Sequence, residues 1–145
     1  MVDRHTRYQA AIVRDHHLLL LWYVPRGREG FWLIPGGGRE DESEEDCVIR
    51  EVREETYLHV RVERLILDRP SHSRDTMYAH YKTYLCIPVA GSERPGIEPE
   101  DDAQGDIEAV HWFDLRDVDS WHTQLVSDHI TYPQLVNIRA VLAYS

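Results

Sequence analysis

The stretch GGGREDESEEDCVIREVREETYL, residues 36–58, decides how the chain is read. Ser43 has the chemistry of a helix N-cap, with Asp46 three positions on as a capping-box variant, and the spacing predicts a helix running to about Thr56. At about 100° per residue, Glu51, Glu54 and Glu55 fall within roughly a 100° arc, and Glu44 lies on the same flank. Val48, Ile49, Val52 and Thr56 make the neighbouring apolar flank. Packed on a sheet by that flank, the helix is expected to hold its acids at the sheet edge.

Acids near a helix N-terminus are favoured by the macrodipole, which accounts for Glu40, Asp41, Glu42, Glu44, Glu45 and Asp46. Glu51, Glu54 and Glu55 lie beyond that first turn. Like charges three and four residues apart cost a helix a few tenths of a kcal/mol, and no lysine stands nearby in the sequence. A divalent cation would relieve the repulsion, and oxygen-only ligands point to a hard ion such as Mg²⁺ or Mn²⁺. A plain solvated acidic helix face is the alternative.

On either side of this helix the chain alternates strand and turn signals. Residues 8–13 and the run LLLLWYV, residues 18–24, read as a hairpin about the turn Asp15-His16-His17. PRGREG, residues 25–30, is a loop carrying Arg26 and Arg28, and residues 31–34 form a short strand entering a turn at Pro35, Gly36, Gly37 and Gly38. Residues 58–67, 76–89 and 107–113 read as strands. In the second of these, Tyr78, His80, Lys82, Tyr84 and Cys86 share a face. An acidic loop over residues 91–105, a weak helix near 118–126 and an amphipathic helix over 132–142 complete the reading. The last helix is expected to bury Leu135, Val136, Ile138, Val141 and Leu142. Mixed in this order, the elements suggest an α/β sandwich with a mixed sheet.

The chain has 145 residues, the length of one domain, and its net charge is −10. Of its 26 acids, nine lie in residues 39–55 and six in residues 98–108. A surface this acidic repels a nucleic-acid polymer, whereas a small phosphorylated ligand bridged by cations is compatible with it. The longest apolar run, residues 18–24, is too short to span a membrane, and the polar start lacks a signal-peptide core, so a cytoplasmic location is expected. Cys47 and Cys86 stand alone and read as small buried side chains.

The pattern G-x5-E-x7-R-E-U-x-E-E-x-G-U, with U aliphatic, is matched by Gly36, Glu42, Arg50, Glu51, Val52, Glu54, Glu55 and Leu58. On these residues the chain resembles the Nudix hydrolase family, MutT-like in size. FWLIPGG before the box and EAVHWFDL after it look like the family's flanking elements. The resemblance implies one Nudix domain over residues 1–145, an α/β/α sandwich with a mixed sheet. It also implies hydrolysis of a nucleoside diphosphate linked to another group, by water, with Mg²⁺ or Mn²⁺. Carried over by box position, Glu51, Glu54, Glu55 and a carbonyl of Gly36 would hold metal, and Glu51, Glu54 and Arg50 would be catalytic. Arg50 would orient Glu54 or Glu55, Glu42 would support the loop, and Gly37 and Gly38 would leave room for the pyrophosphate. Arg26 and Arg28 are candidate phosphate contacts, and Asp106 and Glu108 candidate additional carboxylates.

Two departures stand out. Tyr57 replaces the box glycine, so either a tyrosine takes the left-handed conformation or the helix ends differently. The loop of residues 38–43 also lacks the glycine that many relatives place before the first box glutamate, which leaves the register of the glycine carbonyls open. Tyr78, Tyr84, Trp22 and Phe31 are either core or stacking residues, and His72 and His80 either structural or proton carriers. Markers of particular substrates, such as the SQPWP of NADH hydrolases, are absent, so nucleoside triphosphates, nucleotide sugars and dinucleoside polyphosphates all remain candidates. A ligand sensor that no longer hydrolyses is the competing reading, opposed by the intact glutamates; a structural cation-binding domain would leave the glycine entry unexplained. The aromatic strand and acidic loop offer surfaces for a homodimer.

Overall fold

A computed structural model describes residues 5–71, 78–97 and 105–144. The described residues form strands β1 (Thr6–Arg14), β2 (His17–Pro25), β3 (Phe31–Leu33), β4 (Gly36–Gly38), β5 (His59–Pro70), β6 (His80–Ala90) and β7 (Gly105–Asp114). The helices are α1 (Glu44–Thr56), α2 (His122–Leu125) and α3 (Thr131–Val141), with a 3-10 turn at Val118–Ser120. The expected strand start at residues 76 and 77, His72, and residues 98–104 of the acidic loop lie outside the described residues.

The sheet is mixed. β1 runs parallel to β6 over Thr6 to Ile12 and antiparallel to β4 over Arg7 to Gln9. Its last two residues pair with β2, at Val13 with Leu18 and Arg14 with His17. The expected hairpin is therefore short. Asp15 and His16 both have positive φ, 51° and 65°, the signature of a tight two-residue hairpin turn. Beyond it the strands diverge, β2 pairing along its length with β7 and with β3.

Side-chain alternation along the strands makes two main cores, with a smaller third cluster of Leu21, Tyr23 and Ile107. Tyr8, Ala10, Ile12 and Leu19 meet Cys47, Val48 and Val52 of α1, together with Tyr84 and Cys86. Ala11, Leu18 and Leu20 point the other way and meet Leu135 and Ile138 of α3, Leu125 of α2, Phe113 and Trp121. A helix on each face is why residues 18–21 are apolar without interruption: each leucine is wholly buried, whichever side it faces. The result is the α/β/α sandwich. Cys47 and Cys86 are both buried, and burial pushes the Cys86 thiol up to about 12.

Three expectations need correction. The glycines of residues 36–38 are a strand, not a turn, and none has positive φ. Space is what they supply, because a Cβ on Gly36 would lie 2.7 Å from the Cα of Gln9. The weak helix near 118–126 is split into the 3-10 turn and the single turn of α2. In α3, Val136 and Val141 are 50% and 42% exposed, and the buried face is Thr131, Gln134, Leu135 and Ile138. Gln134 can take a core position because the Gln9 side chain, which also donates to Thr83, hydrogen bonds with it. Among the described residues no helix is long and apolar enough to cross a membrane.

Candidate active site

Helix α1 begins as read: the Ser43 hydroxyl accepts from the amide of Asp46 at 3.1 Å. Its acids, however, do not share one exposed flank. Glu51 and Glu55 are wholly buried, facing the sheet beside Val48 and Val52. Glu44 is drawn aside by Lys82, at 3.1 Å, and by the Tyr84 hydroxyl, at 2.6 Å. Burial raises the Glu44 pKa, but these two donors outweigh it and leave the carboxyl below its ordinary value. Lys82, distant in sequence, thus relieves one of the four acids, and Tyr84 is committed to the core and to Glu44 rather than to a ligand.

Arg50 organises the remainder. Its Nε and Nη2 donate to the two oxygens of Glu42 at 2.9 and 2.7 Å, a bidentate pair that holds the Glu42 carboxyl below its ordinary range. Nη1 reaches Glu51 at 3.1 Å and Glu54 at 3.4 Å, and Nη2 reaches the Gly38 carbonyl at 3.3 Å. Of the two alternatives for the glutamate that Arg50 orients, Glu54 is the one it contacts. Glu55 is fixed instead from the sheet, accepting from the Gly36 amide at 2.8 Å. Gly37 is the cradle for Glu51, since a Cβ there would lie 2.5 Å from the Glu51 carboxyl carbon.

Gly37→Ala therefore pushes a wholly buried carboxylate against a packed core. We expect a loss of about 1–3 kcal/mol, the scale of overpacking, in urea denaturation of the metal-free protein. A variant as stable as the parent would show that Glu51 has somewhere else to go.

The donors gathered here are carboxylate and backbone oxygens, the set that suits a hard divalent cation. Glu54 Oε2 is buried and has no hydrogen-bond partner among the described residues. Among the described residues no three carboxylates converge to cation distance there. Arg50 stands between Glu51 and Glu54, supplying positive charge through single contacts to each. Its bidentate anchor is Glu42, so those two carboxylates can turn to a cation without releasing Arg50. The residues fit such an ion.

Arg26, Arg28, Asp106 and Glu108 come together elsewhere, lining a cleft of about 430 Å³ at the end of β2 and β7 that contains no residue of α1. Val24 pairs with Asp106, and the register slips between Trp22 and Tyr23, leaving Glu108 as the extra residue of a bulge. Bulges re-aim side chains, and this one lies in the cleft. Arg28 also borders a second cleft of about 630 Å³, walled by Trp22, Phe31 and Trp32 and containing Asp128. Asp128 Oδ1 accepts from the amides of Ile130 and Thr131, while Oδ2 is buried without a hydrogen-bond partner among the described residues. Trp32 and Asp128 escaped the sequence reading, because they are brought together by long-range contacts such as the Thr131 hydroxyl's bond to the Trp32 carbonyl. Of the other aromatic candidates, Tyr78 is buried. His80 is hydrogen bonded to Asp68 and stacked on His5.

Tyr57 closes α1 in the left-handed conformation, with φ 64° and its amide donating to the Arg53 carbonyl at 3.0 Å. The first of the two alternatives for this position therefore holds.

Residues 4–134 of this sandwich, with its paired carboxylates buried beside a glycine strand, match the model of the NUDIX domain. The chain belongs to that family, whose members hydrolyse pyrophosphate bonds. It is 32% identical over 107 residues to an NAD-capped RNA hydrolase, NudC, of Vibrio parahaemolyticus, a match covering 73% of this chain and 37% of that protein's length. An ADP-ribose pyrophosphatase from Streptococcus suis superposes with a TM-score of 0.60 at 25% identity, covering 78% of this chain and 75% of the other. A MutT NUDIX hydrolase from Burkholderia pseudomallei gives 0.56 at 30% identity, covering 77% and 83%.

Proposed function

We propose that the chain is a pyrophosphohydrolase that splits the diphosphate linkage of a nucleoside diphosphate joined to a second group, using Mg²⁺ or Mn²⁺ held by Glu51, Glu54, Glu55 and a carbonyl of Gly36. The observation that carries this reading is the burial of Glu51 and Glu55 in α1, with Glu54 beside them, braced by one arginine and one amide. Burying ionised carboxylates is costly unless something positive is meant to meet them. When bound, divalent ions would neutralise charge on the pyrophosphate oxygens and make water a competent nucleophile near neutral pH.

The chain's own residues divide the remaining tasks. Arg50 keeps Glu51 and Glu54 in register, and the Gly36 amide keeps Glu55. Gly37 leaves room for the Glu51 carboxylate, and Gly38 lends its carbonyl to Arg50. Arg26 and Arg28 contact phosphate oxygens, and Asp106 or Glu108 supplies a further carboxylate to accept a proton or hold a cation. The cleft next to Arg28, walled by Trp22, Phe31 and Trp32, gives a nucleobase an aromatic surface to pack on. NAD-capped RNA and ADP-ribose, the substrates in the relatives' names, both carry a nucleoside diphosphate of this kind, which supports that substrate class.

The test is a panel of nucleoside triphosphates, nucleotide sugars, dinucleotides and dinucleoside polyphosphates, incubated with Mg²⁺ or Mn²⁺ and read by mass spectrometry. A nucleoside monophosphate or phosphate released only in the presence of metal is the expected result. Binding of a nucleotide by calorimetry without any product would establish the ligand-sensor reading instead.

A further inference from the structure

The residue that breaks the box pattern and the segment that follows β6 meet at one place. Helix α1 ends with the carbonyls of Glu54, Glu55 and Thr56 beyond the reach of its own amides, the usual condition of a last turn. Here all three are taken by a single strap. The Ile97 amide donates to Glu54 at 3.0 Å, the Gly96 amide to Glu55 at 2.8 Å and the Arg94 amide to Thr56 at 3.1 Å. The approach is so close that a Cβ on Gly96 would lie 2.8 Å from the carbonyl carbon of Glu55 and 2.9 Å from that of Glu54.

The strap is pinned at two further points. The Arg94 guanidinium lies 4.1 Å from the centre of the Tyr57 ring. Glu93 accepts from Arg14 of β1 at 2.9 Å and from the Trp112 indole of β7 at 3.0 Å. Tyr57, 42% exposed, makes the first pin possible only because its left-handed backbone turns the ring out over the strap. A glycine would adopt that backbone freely but would offer no ring.

We propose that residues 91–97 are a brace for the catalytic helix, with Tyr57, Arg94 and Gly96 as positioning residues, Tyr57 keeping the left-handed backbone of the box position and adding a ring that holds the strap. The idea rests on the reading of Glu54 and Glu55 as cation ligands. Those two side chains sit at the negative end of a helix dipole, where anions are disfavoured. Three amides donated to the same turn offset that partial charge and fix the Cα positions from which both carboxylates project. Arg50 and Gly36 then need only set the side-chain angles.

Tyr57→Gly separates the brace from simple strain. It removes the ring and gives the left-handed position its preferred residue, so thermal stability should hold or rise. With the brace weakened, kcat should fall about tenfold, within the range for ångström-scale misplacement, while KM stays unchanged. Tyr57→Phe, which keeps a face for Arg94, should restore kcat. In the metal-free protein, hydrogen exchange at the amides of Arg94, Gly96 and Ile97 should be faster in Tyr57→Gly than in the parent or in Tyr57→Phe. Parental kcat with parental exchange in Tyr57→Gly would overturn the brace, as would a lost kcat that Tyr57→Phe fails to recover. Were the parent inactive on every nucleotide tested, the function would be wrong and the exchange rates alone would decide the brace.

Discussion

Glu54→Gln lowers turnover on the best nucleotide of the panel by about 10²- to 10³-fold, the scale on which one preorganised charge at a reacting centre is felt, and leaves the fold intact. Gln preserves the volume and can still accept from Arg50 through its carbonyl, so what changes is the charge and the buried Oε2, which has no protein donor among the described residues. Stability should hold or rise by a few tenths of a kcal/mol, since one like charge leaves a helix that carries Glu51 and Glu55 three residues before it and one after. Glu44→Gln is the control. Its carboxylate is bound to Lys82 and Tyr84, away from the site, and turnover should stay close to the parent. Steady-state rates with Mg²⁺ read both variants, and a Glu54→Gln enzyme with parental turnover would remove Glu54 from the cation set.

Much of this arrangement is legible in the residues themselves. Helix α1 with its Ser43 cap is local chemistry, and the strands announce themselves by alternation, so the sandwich follows. What does not follow is which side of α1 is buried. Hydrophobicity ranks Glu51 and Glu55 as surface residues, and what helps make their burial tolerable, the Gly36 amide, the Gly37 cradle and the Arg50 guanidinium, depends on the folded arrangement of α1 against β4. Glycine likewise reads as turn when the reason for it is the thickness of the backbone opposite. Lys82 and Tyr84 were visible as one face of a strand, but their partner Glu44 lies 38 and 40 residues away. The same holds for Thr131 and Trp32, for Gln134 and Gln9, and for the strap on α1. Each is a long-range pairing of polar groups, and period and propensity carry no information about such pairs. Arg26, Arg28, Asp106 and Glu108 were each singled out separately; the register between β2 and β7 is what places them in one cleft.

Arg50 should prove the costliest residue of the site to remove, and its loss should register first in stability. Arg50→Met keeps the apolar stem but leaves Glu42, Glu51 and Glu54 without the guanidinium that contacts all three. Removing one partner of a fully buried ion pair costs about 3–5 kcal/mol; the side chain of Arg50 is 24% exposed, so about 2–3 kcal/mol is expected in urea denaturation at neutral pH without metal. The pH dependence gives the sign. Arg50 lowers the folded-state pKa of Glu42, so the stability from that pair is complete above the ordinary glutamate value of 4.5 and is lost as the pH falls through the lower, folded value. In Arg50→Met that contribution is missing at every pH, and acid neutralises carboxylates that otherwise repel one another. The gap between parent and variant must therefore be widest near neutrality and close as the pH drops below about 4.5. A gap that stays constant from pH 7 into that range would mean the variant suffers from lost packing around the arginine stem, and that Arg50 does not act through the charges of Glu42, Glu51 and Glu54.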